Sequence, residues 1–172
     1  VPLYKIGLRP VDVNWHLFLM GAAFLLIETK AVTTLALVFG STWMVNSIVM
    51  AAILLMILLS NLVVSRLPFM GYLALYFGLC ASILFNFGFS FDSLNQLEWQ
   101  TRALVSGLVI ALPLFFAALI FAKAFSAVDS PSEGLASNLL GGLVGGLLEY
   151  LDMWTGLRAL NLIALTLYLL SA

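Results

Sequence analysis

The sequence predicts an all-α fold, an integral membrane bundle of about six transmembrane helices in a single domain over residues 1–172. Three observations lead there. Of the 172 residues, 63% are hydrophobic and only 9% charged, against about a quarter charged in a soluble domain. Mean hydropathy is +1.14. Long apolar runs also recur between short breaks rich in glycine, proline or polar residues. Lipid is therefore the expected solvent, with other membrane helices or subunits as further partners.

The first span is Leu17 to Phe39, preceded by a polar lead-in with Lys5, Arg9 and Asp12 and by Trp15 and His16 as interface residues. As a helix it is roughly 34 Å long, enough to cross the hydrocarbon core. Gly40 and Ser41 end it. The second runs from Trp43 to Val64, with Asn46, Ser60 and Asn61 expected on one face looking into the bundle, and Arg66 and Pro68 close it. Phe69 to Phe89 reads as the third. The stretch SFDSLNQLEW is expected as an exposed loop. Thr101 to Phe125 is a fourth helix, carrying Pro113, which removes one backbone donor. A turn at VDSPS leads to a fifth, Leu135 to Met153, and a sixth runs from Leu157 to Ser171.

Six spans place both ends of the chain on one side, with Lys5, Arg9, Arg66 and Lys123, while Arg102 and Arg158 lie on the other. The positive-inside rule then puts both termini in the cytoplasm. Net charge is -1 and no basic run suggests nucleic acid. One cysteine, Cys80, and one histidine, His16, leave no disulfide framework, and no cysteine zinc site or paired-histidine metal site. No cofactor is expected. The chain begins at Val1 without an apolar signal segment, so a longer polypeptide is expected around it.

Chemistry concentrates in the first span. Glu28 and Lys30 lie at its middle, each costing about 3 kcal/mol to insert, and point about 200° apart, so they cannot pair with each other. Lys30 shares a face with Thr33 and Thr34; Glu28 shares one with Gly21, Leu25 and Val32. Either a proton relay or cationic-solute site uses them, or they have structural partners on other helices. Asn46, Asn138 and Glu149 complete the candidate intramembrane polar set. Gly141, Gly142, Gly145 and Gly146 form two overlapping GxxxG patterns, the signature of close helix packing in lipid. Glu149, Asp152 and Arg158 flank the last turn and are expected to pair at the membrane edge, with Arg102 on the same side.

Two blocks carry a family resemblance. Gly21 to Val64, GAAFLLIETKAVTTLALVFGSTWMVNSIVMAAILLMILLSNLVV, resembles the opening helix pair of the membrane module in bacterial spermidine synthase-like (polyamine aminopropyltransferase-like) proteins, through Glu28, Gly40 and Ser41. Asn138 to Leu160, NLLGGLVGGLLEYLDMWTGLRAL, is similar to their closing pair, through Asn138, Gly141, Gly145 and Gly156 to Arg158. Thr33 stands where the family often has a basic residue, and Met56, Ser60 and Asn61 where it has glycines. The resemblance implies a transporter-like module beside a soluble domain that binds decarboxylated S-adenosylmethionine, and that domain's strand-glycine-helix pattern does not occur in this sequence. The expected function is a non-catalytic six-helix module that anchors or assembles a larger spermidine synthase-like protein or membrane complex. The alternative is half of a transporter for a small polar or cationic solute such as a polyamine. A membrane enzyme built on Glu28 or Glu149 would lack a nucleophile or metal set beside it.

Overall fold

A computed structural model of the chain describes residues 13–66 and 71–172, and within them every regular element is helical. The six helices expected are present: α1 (Trp15–Phe39), α2 (Trp43–Arg66), α3 (Tyr72–Gly88), α4 (Trp99–Ser126), α5 (Pro131–Glu149) and α7 (Leu157–Ser171). A four-residue α6 (Asp152–Thr155) lies in the last turn. Helices α1, α2 and α4 are long and apolar enough to cross a bilayer, which makes this a membrane protein. The expected positions of Lys5, Arg9, Asp12 and Pro68 lie outside the described residues.

Local chemistry sets the boundaries. The Asn14 side chain accepts the Leu17 N–H at 3.1 Å and starts α1, and the Gly40 N–H closes it on Ala36 O with φ at +95°, a conformation that favours glycine. Helix α5 begins four residues earlier than expected because Pro131 occupies its first turn, where its fixed φ suits a helix and its missing donor costs nothing. It ends at Glu149, four residues before the expected Met153. The stretch expected as a loop instead contains a 3-10 helix, Phe91–Gln96, that buries Leu94.

Helix α1 is the hub, packing against α5, α7, α4 and α2, while α3 packs on α4 and α7. The helices alternate in direction. His16 at the start of α1 meets Ser171 at the end of α7, and Tyr76 near the start of α3 reaches the same serine at 3.0 Å. Because a carbonyl only accepts, His16 Nδ1 donates to Ser171 O, at 2.5 Å. At the opposite end Arg102, in the first turn of α4, lies over the Phe39 ring.

The contact between α1 and α5 is backbone against backbone. A Cβ on Gly141 would run into Phe18 O, and one on Gly145 would stand 2.5 Å from Ala22 O. Gly21 on α1 returns the approach, with Asn138 Oδ1 2.8 Å from where its Cβ would be. Only residues without a Cβ permit this distance, which is how small residues substitute for hydrophobic drive inside lipid.

One expectation about α2 is corrected. Its polar residues do not form an inward face: Ser60 is fully buried, but Asn46 and Asn61 are exposed. Ser60 Oγ donates to Met56 O at 2.8 Å and Asn61 Nδ2 to Ile57 O at 3.0 Å. Donors satisfied within their own helix require no partner across the bundle.

Candidate functional site

Helix α1 divides two polar regions, as the angular separation of Glu28 and Lys30 requires. Lys30 is buried and its Nζ donates to Asn86 Oδ1 on α3. Asn161 on α7 donates to the same oxygen at 3.2 Å, and Asn86 Nδ2 donates to Val109 O on α4 at 3.3 Å. That carbonyl lies four residues before Pro113, so the helical N–H it would accept does not exist. Asn86 supplies the missing donor. In a bilayer core an orphan backbone carbonyl costs several kcal/mol, and a neighbouring side chain is a way to avoid it.

Glu28 faces the other way. It lies on a groove of about 590 Å³ between α1, α2, α4 and α5, together with Asn61, Asn138, Phe24 and Phe121. Among the described residues its carboxylate has no hydrogen-bond or ion-pair partner. Gly142 and Gly146 line this groove, while Gly141 and Gly145 pack on α1. The two GxxxG registers therefore do different work.

No protein-family model, curated protein or solved structure matches the chain.

The remaining candidates separate. Thr29 Oγ1 donates to Glu149 Oε2 at 3.1 Å, which fixes the end of α5 beside the middle of α1. The expected pairing of Glu149 or Asp152 with Arg158 is absent among the described residues. The turn also sits deeper than expected, since α1 runs on from Thr29 to Phe39, about 15 Å further along its axis. The cause is the register of the glycine seam, which carries Glu149 to Thr29. Thr33 is half-buried and forms no hydrogen bond among the described residues; Thr34 is buried. Arg102 and Lys123 stack on aromatic rings, at 5.4 Å over Phe39 and 4.7 Å over Tyr72. Among the described residues no three His, Cys, Asp or Glu side chains come together around a metal site.

Chemically the arrangement offers an acceptor group in an apolar groove on one side of α1 and a donor-rich centre on the other. Asn86 and Asn161 are the residues that the sequence reading leaves out of its candidate set. The signal available for Asn86 is an amide within a run of apolar residues, which marks an internal partner in a membrane helix.

Proposed function

We propose that this chain is a non-catalytic membrane module, its six alternating helices embedded in a bacterial inner membrane with both termini of the chain toward the cytoplasm. It anchors or assembles a larger, spermidine synthase-like protein or complex. The observation that supports this reading is the meeting of the two blocks that carry the resemblance. Gly21 and Ala22 from the first pack against Asn138 and Gly145 from the second, more than a hundred residues away, so closely that a Cβ on either glycine would meet backbone. The small residues shared with those proteins thus have one joint structural task. Purification of the native polypeptide in mild detergent, followed by intact-mass measurement and identification of its companions, tests the reading. A fused or co-purifying aminopropyltransferase-like domain or membrane subunit is expected. A chain of this length running alone as a monomer would sink the proposal.

The Glu28 groove favours a second reading, half of a transporter for a small organic cation such as a polyamine. An unpaired carboxylate beside amides and aromatic rings suits an amine on an apolar stem. In proteoliposomes, Glu28→Gln should lower polyamine flux at least about tenfold, the loss of one desolvated charge pair. Unchanged flux removes this reading and leaves the first untouched.

A further inference from the structure

On the opposite side of α1, Lys30 and Arg158 line one recess of about 210 Å³, walled by Leu37, Val38, Phe89 and Phe91, and among the described residues no carboxylate lines it. Lys30 is 7% exposed and spends one of its three N–H donors on Asn86. Thr34, 8% exposed, borders the same space, and its hydroxyl has no hydrogen-bond partner among the described residues. The first turn of α7, which holds Arg158, has no side-chain cap, so the positive end of its helix dipole adds potential there. Lys30 is the buried cation and the exposed Arg158 stands at the rim; a buried ammonium without a counter-charge among the described residues is costly, and a bound anion that also meets the guanidinium would offset that cost.

We propose that this recess binds a phosphate group with no second ester, a phosphate monoester or orthophosphate itself. Charge balance favours phosphate over carboxylate, because two cations match the charge of about -1.5 to -2 on a phosphate monoester near neutral pH. The guanidinium fork can take two phosphate oxygens, leaving the others to the ammonium and to the Thr34 hydroxyl. The recess lies toward the end of the bundle that carries the exposed Trp43 and Trp99. Tryptophan marks headgroup level, so the phosphate can come from a lipid, phosphatidic acid, or from free inorganic phosphate.

The test uses the full chain exchanged into phosphate-free detergent buffer and titrated with inorganic phosphate by calorimetry. Saturable binding and a raised Tm are expected. Arg158→Gln should weaken binding at least about tenfold, and Thr34→Val severalfold. Both leave the Lys30 to Asn86 contact in place, so neither confuses binding with folding, and the Tm of each variant without phosphate checks this. In a second arm the chain is reconstituted in nanodiscs containing phosphatidic acid and analysed by native mass spectrometry. Lipid retained by the parent chain and lost in Arg158→Gln supports the proposal with the lipid as source, and phosphate binding in detergent supports it with the free ion. Neither ligand bound, or binding unchanged in both variants, overturns it.

Discussion

Asn86 shows how one side chain can hold three helices together. Its oxygen receives Lys30 from α1 and Asn161 from α7, and its nitrogen caps the Val109 carbonyl that Pro113 leaves open in α4. Replacing it with leucine strands a buried ammonium, an amide and a carbonyl together. Each unmet buried group costs about 1–3 kcal/mol, so Asn86→Leu should lower unfolding free energy in mixed micelles by at least that amount. Pro113→Ala would restore the N–H that Val109 O lacks. The cost of Asn86→Leu should then shrink by about 1 kcal/mol in the Pro113→Ala background, within the usual range for coupled neighbours. Equal costs in both backgrounds would show that Asn86 does not compensate for the proline.

Among the elements, the α1 and α5 pair decides most. Its glycines are not interchangeable, although they read as one motif. A methyl at Gly141 meets the Phe18 carbonyl, whereas one at Gly142 finds nothing within 4 Å. Gly141→Ala should therefore destabilise the bundle by about 1–3 kcal/mol, the range for overpacking a tight contact. Gly142→Ala should be neutral or gain up to about 1 kcal/mol from helix propensity. Thermal unfolding of the two variants side by side checks the contrast, and similar losses would mean that the seam runs in another register. The same seam ends α5 beside Thr29 and so recesses the last turn. Sequence spacing could show that the four glycines lie within two helical turns, but not which pair faced the neighbour, because both registers are equally small.

For the whole molecule, alternation of six helices puts the start of α1 and the end of α7 together, as the His16 to Ser171 contact requires. Among the described residues, Arg66 and Lys123 lie at that end and Arg102 and Arg158 at the other. The proposed cytoplasmic placement of both termini thus rests on Lys5 and Arg9 in the sequence. In a Cys80→Ser background, cysteines introduced at Ser41 and Ser130 should react with an impermeant maleimide from opposite faces of the membrane, with Ser130 on the cytoplasmic one. Labelling of both from one face would refute the alternation. Exchanging Lys5 and Arg9 for glutamine should produce chains of mixed orientation.

By itself the sequence determined the class of the molecule, the number of its helices and the opposed directions of Glu28 and Lys30. These follow from local quantities: the length of apolar runs needed to cross lipid, glycine and proline at breaks, and the fixed angle per residue of a helix. Only the tertiary structure decided what each polar group meets. It gave Lys30 to Asn86, left Glu28 on an open groove edged by Asn61, exposed Asn46 and set the exposed Arg158 at the recess beside Thr34. Those outcomes depend on the rotation and axial register of one helix against another. Lipid is as apolar as the side chains, so hydropathy alone distinguishes no face, and the steric fit of a few glycines makes the choice.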